Sequence, residues 1–264
     1  MLYEKKDGVP KFECSEYFEK TRDYVVLIPI INEGNRIHKE LKRAQKHNVS
    51  SYADIVICDG GSSDGCTSED KLRALDVNTL LVKQDAGKQG AQLRMGIWWA
   101  LKRGYNGIIT IDGNNKDSIE DVPIFIDKLK KGYDFVQGSR YVKGGHAVNT
   151  PLIRTISVKY IHAPIISLTA HKRFTDTTNA YRGYSRRYLE DVRVQPLRDV
   201  FMTYELLAYL SVRATQIGMK ACEVPVTRAY PKRGKTPTKI SFIKGNSNLM
   251  KILIKNAFGA YNPK

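Results

Sequence analysis

The stretch YVVLIPII, residues 24–31, is an unbroken run of apolar side chains, most of them β-branched. Such a run is typical of a strand that is buried on both faces of a sheet. It ends at Asn32 and Glu33, and the following segment, residues 32–48, has the polarity of a helix. The stretch therefore predicts the first strand-and-helix unit of an α/β fold.

The same alternation continues through the first half of the chain. Further strand patterns lie at 53–61, 79–85, 107–112 and 133–141, and helical patterns lie at 87–104 and 118–132. Strands and helices that alternate at this spacing predict an α/β fold with a mainly parallel sheet flanked by helices. No internal repeat, low-complexity run or linker interrupts the chain, so we expect one domain over residues 1–264.

Polar residues follow each predicted strand. In parallel sheets, ligands bind beyond the carboxyl ends of the strands, so we expect these residues to share one edge. They are Asn32 and Glu33, Asp59, Asp85 and Lys88, Asp112 and Asn114, and Gly138–Arg140. Carboxylates beside basic residues suit a nucleotide diphosphate bridged by a divalent ion. A dinucleotide-binding fingerprint is excluded, because no G-x-G-x-x-G opens the helix after the first strand.

The composition limits the partners and the compartment. The 264 residues carry 43 Lys and Arg against 27 Asp and Glu, a net charge of +16, which favours anionic partners. No known nucleic-acid-binding motif accompanies this charge, so we expect no nucleic-acid partner. Four scattered cysteines predict reduced thiols. Without a signal peptide or a long apolar stretch, we expect a cytoplasmic protein, either soluble or peripheral on the cytoplasmic face of a membrane.

Six ordered sequence blocks carry a resemblance to a known family. They include IPIINE, ICDGGSSDGCT, DAGKQGAQLRMG, ITIDGNNKDSIEDVP, VQGSRYVKGG and TDTTNAYRGYSRRYLEDV. The chain resembles family 2 glycosyltransferases over roughly residues 24–241, and it looks most like the dolichyl- or polyprenyl-phosphate sugar synthases. The resemblance implies a GT-A fold with a nucleotide-sugar-binding sheet. It also implies inverting transfer of a sugar from a UDP- or GDP-sugar to a polyprenyl phosphate.

The resemblance divides the chain into two functional halves. Residues 24–141 would bind the nucleotide sugar, and residues 142–264 would bind the acceptor and end in an amphipathic helix. Two alternatives remain open at this point. The protein could instead transfer a sugar to a hydroxyl of a cytosolic glycan or small molecule, or it could be an inactive domain that only binds a nucleotide.

The segment Asp112-x-Asn114 stands where the family has its Asp-x-Asp metal motif. The resemblance therefore implies that Asp112 and Asn114 bind Mg²⁺ or Mn²⁺, with Gly113 between them among the donor-binding residues. An amide oxygen in place of a carboxylate supplies a ligand without the negative charge, which should lower the affinity of the site for the metal ion. Lys116 could contact the diphosphate directly, or Asp117 could replace the missing carboxylate.

Other donor-binding residues are carried over from the same resemblance. The first loop contributes Pro29, Asn32 and Glu33, with Glu33 near the ribose. Asp59 is expected at the nucleotide base. Lys88 and Arg94 are expected to close over the nucleotide.

The acceptor phosphate is expected among basic residues. The resemblance places Arg140 of the GSRY segment on that phosphate, together with Arg154 and with Lys232 or Arg233. A guanidinium suits this work because it makes forked, permanently charged contacts to phosphate oxygens. Asp112, Arg140 and Asp176 are the predicted catalytic residues. Asp176 is the candidate general base if the acceptor is a hydroxyl.

Two segments predict contact with an anionic membrane surface. Residues 240–261 form a basic amphipathic pattern, which is typical either of a helix lying on anionic lipid or of a terminal helix packed on the domain. Residues 151–171 correspond to the interface helices of the lipid-phosphate synthases. The expected partners are therefore a nucleotide sugar, a polyprenyl phosphate and an anionic membrane surface.

Overall fold

The structure is a computed structural model that describes residues 1–6, 8–232 and 242–263, without the side chains of residues 242–246. Its strands are β1 (Leu2–Tyr3), β2 (Phe12–Glu16), β3 (Tyr24–Ile30), β4 (Asp54–Asp59), β5 (Val77–Lys83), β6 (Gly107–Thr110), β7 (Phe135–Ser139), β8 (His146–Val148), β9 (Arg182–Ser185), β10 (Ala221–Pro225) and β11 (Thr227–Ala229). Its α-helices are α1 (Asn35–Lys46), α2 (Glu69–Arg73), α3 (Gln89–Lys102), α4 (Val122–Lys130), α5 (Leu152–Ser157), α6 (Ala163–Thr169), α7 (Arg186–Glu190), α8 (Glu205–Gln216) and α9 (Phe242–Ala257).

A nine-stranded sheet in the order β1-β2-β5-β4-β3-β6-β9-β7-β10 forms the centre of the protein. Among its described strands only β2 and β9 run against the others. The predicted α/β fold with a mainly parallel sheet is thus confirmed. The sequence patterns did not reveal β9, which inserts antiparallel between β6 and β7, or the pair β8–β11.

Helices cover both faces of this sheet because its central strands are apolar on both sides. Val25 and Leu27 of β3 face a cluster that includes α3 and α8, whereas Val26 and Ile28 face a cluster that includes α1 and α4. Successive side chains of a strand point to opposite faces, so an unbroken apolar run feeds two cores. At Gly96 of α3, a Cβ atom would lie 2.6 Å from Cys58 Sγ, so the helix packs closely against β4.

A long surface helix lies in the second half of the chain. It consists of α5, a π-helical turn at Val158–His162, and α6. Its exposed apolar side chains are Leu152, Ile153, Ile156, Tyr160, Ile161 and Leu168. Within the described ranges, no helix has the length and apolar character that crossing a membrane requires.

The helix predicted at 240–261 is present as α9, and its described part packs on the protein. Ile252, Leu253 and Asn256 are buried, and Asn256 Nδ2 donates to the Ala208 carbonyl oxygen at 3.0 Å. This geometry favours the packed interpretation for that face of the helix. Ile254 and Phe258 remain exposed.

Candidate functional site

The carboxyl ends of β3, β4 and β6 meet at one edge of the sheet. Gln92 of α3 ties two of them together, because its Nε2 donates to the carbonyl oxygens of Ile30 at 2.6 Å and Cys58 at 2.8 Å. Asp112 follows β6 at the same edge. Gln92 and Asp112 therefore lie at the edge of the sheet that the strand ends predict.

Asp112 is held on both carboxylate oxygens by polar side chains. Its Oδ1 accepts from Gln89 Nε2 at 3.0 Å, and its Oδ2 accepts from Arg228 Nη2 at 3.1 Å. Burial by itself raises the pKa of Asp112. The nearby charges of Arg228 and Lys116 have the opposite effect, and the net pKa lies below its ordinary value. The group is therefore a carboxylate at neutral pH.

Arg228 donates hydrogen bonds to several side chains at this edge of the sheet, and the sequence analysis did not predict it. It lies on β11, whose backbone runs beside residues 116–118, with Ala229 N donating to the Lys116 carbonyl oxygen at 2.8 Å. Besides Asp112, its guanidinium donates to Asp117 and, at 3.3 Å, to Asn179 Oδ1. No local pattern marked this residue, since β11 is only three residues long.

Lys116 and Asp117 are both buried beside Asp112. The Lys116 ammonium lies 5.1 Å from the centre of the Tyr230 ring. Burial, followed by the charge of Arg228, lowers the pKa of Lys116 to about 8, against the opposing effect of Asp112. Asp117 Oδ2 accepts from Arg228, whereas its Oδ1 is buried without a hydrogen-bond partner among the described residues, so the alternative in which Asp117 replaces the missing metal carboxylate stays a prediction.

Asp112 and Asn114 are the residues that could hold a divalent ion. Asn114 Oδ1 is buried and has no hydrogen-bond partner among the residues that the structure describes. Mg²⁺ commonly takes one or two protein carboxylates and completes its shell with substrate phosphates. One carboxylate and one amide oxygen fit that pattern. Within the described chain, no cluster of three His, Cys, Asp or Glu side chains offers a fuller protein ligand set.

The remaining predicted donor residues lie near the carboxyl ends of β3 and β4 and in the neighbouring loops. Asn32 Oδ1 accepts from Ser63 N at 2.8 Å, and Asp59 Oδ2 accepts from Ser62 N at 2.8 Å. One amide and one carboxylate side chain therefore hold the loop after β4. Glu33 pairs with Arg36 at 2.8 Å. The other three are Pro29 within β3, Lys88 exposed before α3, and Gly113, where a Cβ would lie 2.4 Å from Ile30.

Arg94 is in a different place from the one predicted. Its side chain is buried, and its guanidinium donates to the carbonyl oxygens of Phe201 at 3.1 Å and Leu197 at 3.3 Å and to Asp199 at 2.8 Å. These contacts fasten α3 to the segment before α8. The geometry does not support the predicted closure of Arg94 over a nucleotide, because its charge is directed into the protein.

Arg140 and Asp176 form a buried, forked ion pair. Arg140 Nε donates to Asp176 Oδ2 at 2.6 Å, and its Nη2 donates to Oδ1 at 2.9 Å. Arg140 Nη1 is buried without a hydrogen-bond partner in the described part of the chain, so it could donate to a ligand. Asp176 is fully buried and engaged, and this disfavours the predicted role of general base.

Glu223 holds the loop that carries Asp176, a role absent from the sequence analysis. Its carboxylate accepts from the backbone nitrogen atoms of Thr175 at 2.9 Å and Asp176 at 3.1 Å. It lies on β10 and reaches a loop that is 47 residues earlier in the chain. This distance in sequence left no motif from which the contact could be recognised.

Arg154 approaches the same cluster from the surface helix. Its Nη1 donates to the Tyr230 hydroxyl at 3.1 Å. Burial raises the pKa of Tyr230, but Arg228, Arg154 and Lys116 lower it more, and the net pKa falls below its ordinary value. Lys232 is exposed two residues later, and the predicted Arg233 lies outside the described residues. The Tyr230 ring thus lies beside both Lys116, a predicted contact of the donor diphosphate, and Arg154, a predicted contact of the acceptor phosphate.

The architecture defines the class of protein. A largely parallel sheet with carboxylate, amide and basic groups at its carboxyl edge suits a nucleotide-sugar-binding domain. The chain matches the model of glycosyl transferase family 2 over residues 25–193, which is more than half of its length. The protein belongs to glycosyl transferase family 2 and is a glycosyltransferase.

Named relatives lie within the lipid-phosphate branch of this family. The chain is 28% identical over 246 residues to the polyprenol monophosphomannose synthase of Mycolicibacterium smegmatis, covering 90% of this chain and 86% of the relative. It is 26% identical to the undecaprenyl-phosphate mannosyltransferase of Micrococcus luteus, covering 77% and 82%. The predicted resemblance to polyprenyl-phosphate sugar synthases is confirmed.

Solved structures share the fold. Glucosyl-3-phosphoglycerate synthase from Mycobacterium tuberculosis, in complex with Mn²⁺, UDP and phosphoglyceric acid, matches with a TM-score of 0.62 at 13% identity. The match covers 89% of this chain and 78% of that chain. At this identity the likeness concerns the fold alone, and it confirms the predicted GT-A fold.

Proposed function

We propose that the protein transfers a sugar from a UDP- or GDP-sugar to a polyprenyl phosphate, with inversion at the anomeric carbon. The observation that carries this proposal is the buried guanidinium of Arg140, whose Nη1 has no partner among the described residues. A buried guanidinium with an unused N–H donor is suited to a charge-assisted hydrogen bond to an anion such as a phosphate. The acceptors in the names of the two relatives support the same choice.

The donor half of the proposal uses the edge of the sheet within residues 24–141. The residues proposed to bind the nucleotide sugar are Pro29, Asn32, Glu33, Asp59, Lys88, Asp112, Gly113 and Asn114. Asp112 and Asn114 would hold Mg²⁺ or Mn²⁺, which neutralises a diphosphate leaving group when it is bound. The presence of Mn²⁺ and UDP in the M. tuberculosis structure supports this assignment without choosing the metal or the nucleotide.

The acceptor half, residues 142–264, works with Arg140. Arg140, Arg154 and Lys232 would grip the acceptor phosphate, with Arg233 as a further candidate outside the described residues. A phosphate oxygen is already anionic at neutral pH, so the attack needs orientation rather than a general base. Asp176 would orient Arg140, which agrees with its two contacts to that guanidinium.

The proposal also places the protein on the cytoplasmic face of a membrane. Leu152, Tyr160 and Leu168 are 74%, 75% and 76% exposed along one surface helix, and Lys159 lies among them. Apolar side chains interspersed with cations suit the surface of an anionic bilayer. Arg154 extends from the same helix to Tyr230, so acceptor lipids would meet the site at this surface.

One assay distinguishes the proposal from its alternatives. The protein is incubated with UDP- and GDP-sugars, Mg²⁺ or Mn²⁺, and either a short polyprenyl phosphate or the matched polyprenol, which lacks the phosphate. Nucleotide release and glycolipid formation are measured. We expect turnover only with the phosphate. Turnover with hydroxyl acceptors alone would favour the cytosolic alternative, and donor binding without any turnover would favour the inactive domain.

A further inference from the structure

Two basic side chains of the protein, Lys116 and Arg228, lie beside Asp112, the residue that begins the segment corresponding to the family's metal motif. We call them the resident cations. Asp112, Asp117, Lys116 and Arg228 lie together, and all but Asp112 are buried. Arg228 bridges the two carboxylates, and the Lys116 ammonium packs on the Tyr230 ring, which Arg228 also faces. Two positive and two negative groups balance, so this cluster has no net charge when all four are ionised.

This charge balance lowers the affinity of the site for a divalent metal ion. The guanidinium of Arg228 already lies 3.1 Å from Asp112 Oδ2, and a divalent ion on the same carboxylate would be repelled by it. Asn114 contributes an oxygen without a negative charge. The site therefore attracts a metal less strongly than two unpaired acids would.

The same balance removes the main obstacle to metal-free binding of a diphosphate. Two uncompensated acids would repel the phosphates, but Arg228 and Lys116 together cancel their charge. Lys116 is one of these two cations and lies on the turn that carries Asp112, where the surrounding protein strengthens its attraction for an anion.

We infer that Lys116 and Arg228 form a resident cationic site for the donor's diphosphate, so that nucleotide binding persists after divalent ions are removed. The Lys116 ammonium contacts a phosphate oxygen, and Lys116 and Arg228 together balance the charges of Asp112 and Asp117. The inference rests on the proposed function, because it takes a nucleoside diphosphate as the ligand of this edge.

Calorimetric titration tests the inference with UDP and GDP as probes. Each is titrated in Mn²⁺ and in excess EDTA against the wild type, Lys116→Met and the exposed control Lys131→Met. In EDTA we expect wild-type affinity to fall by less than about tenfold. Lys116→Met should lose a further factor of about ten or more, as expected for a lost charge-assisted contact, and Lys131→Met should match the wild type.

The outcomes separate this inference from the proposed function. If EDTA abolishes wild-type binding and Mn²⁺ restores it, the inference fails while donor binding stands. Equal affinity of Lys116→Met and the wild type in EDTA would also overturn it. If neither nucleotide binds under any condition, both proposals fail together.

A second variant keeps the test decisive should Lys116→Met not fold. Asn114→Asp restores the second acid, so its nucleotide binding should become more sensitive to EDTA than that of the wild type. Equal sensitivity of the two proteins would contradict the inference, because it would mean that the resident cations do not determine the metal requirement.

Discussion

Arg228 Nη2 donates to Asp112 Oδ2 at 3.1 Å, although the two residues are 116 positions apart in the chain. The backbone of β11 makes this contact possible by running beside residues 116–118, where Ser118 N donates to the Thr227 carbonyl oxygen at 3.0 Å. Asp112 is therefore paired with a cation from the part of the chain that follows residue 141. The predicted division at residue 141 is crossed at the site itself.

Removing Arg228 should destabilise the protein, because Asp117 would remain buried without its partner. We expect Arg228→Met to lower the free energy of unfolding by about 3–5 kcal/mol, measured by denaturant titration. The double variant Arg228→Met, Asp117→Asn should recover part of that loss. Arg73→Met, which breaks an exposed pair with Glu69, is the control and should change stability by less than about 1 kcal/mol. A loss no larger than the control's would contradict the buried-pair account.

Asp112 should determine the metal-dependent part of nucleotide binding. Asp112→Asn keeps the shape of the side chain but removes its charge, so Mn²⁺ affinity in the presence of UDP or GDP should fall by at least about tenfold. Asn114→Asp should raise that affinity. Mn²⁺ titration followed by electron paramagnetic resonance measures both changes. Unaltered Mn²⁺ binding by Asp112→Asn would remove this residue from the metal site.

Arg140 should act on the acceptor rather than on the donor. Arg140→Lys retains a cation beside Asp176 but cannot make the forked contact. Losing a charge-assisted hydrogen bond costs about 1.5–3 kcal/mol, so the acceptor KM should rise by about ten- to a hundredfold with donor affinity unchanged. Steady-state kinetics with varied polyprenyl phosphate measures the KM, and calorimetry measures donor binding. Equal damage to donor and acceptor binding would argue against an acceptor site at Arg140.

Asp176 should position Arg140 and not remove a proton. Asp176→Asn should therefore raise the acceptor KM while leaving the shape of the pH–rate profile unchanged, because an anionic phosphate needs no general base. Rates measured across a range of pH values check this expectation. Loss of the acidic limb of the profile, where the rate falls as a general base becomes protonated, with KM unaffected, would restore the general-base role and with it the hydroxyl-acceptor alternative.

The exposed apolar side chains of the surface helix should hold the protein on anionic vesicles. Burying one Leu or Ile side chain is worth about 1.5–3 kcal/mol, so Leu152→Ser and Ile153→Ser should each weaken vesicle partitioning by roughly tenfold or more. Sedimentation with vesicles that contain phosphatidylserine measures it. Val192→Ser, an equally exposed control that is 79% exposed outside this helix, should partition like the wild type. Identical losses in all three variants would mean that no particular surface docks.

The sequence alone determined which segments form the sheet edge and which family they belong to. The apolar run at 24–31 became β3 at Tyr24–Ile30, and Asp112 follows β6 at the predicted edge. These features depend on local periodicity and on ordered motifs, both of which can be recognised over a few neighbouring residues. Asp112 and Arg140 were predicted as site residues in this way.

Only the tertiary structure decided which charges meet. It directed Arg94 into the protein, closed Asp176 on Arg140, and placed Arg228 on Asp112. It also inserted β9 antiparallel between β6 and β7. Each of these depends on packing between segments that are distant in the chain, and a buried charge takes whichever partner that packing supplies. A residue's type and position in a motif therefore identified candidates for chemistry, whereas the folded chain determined whether a candidate faces a ligand or another side chain.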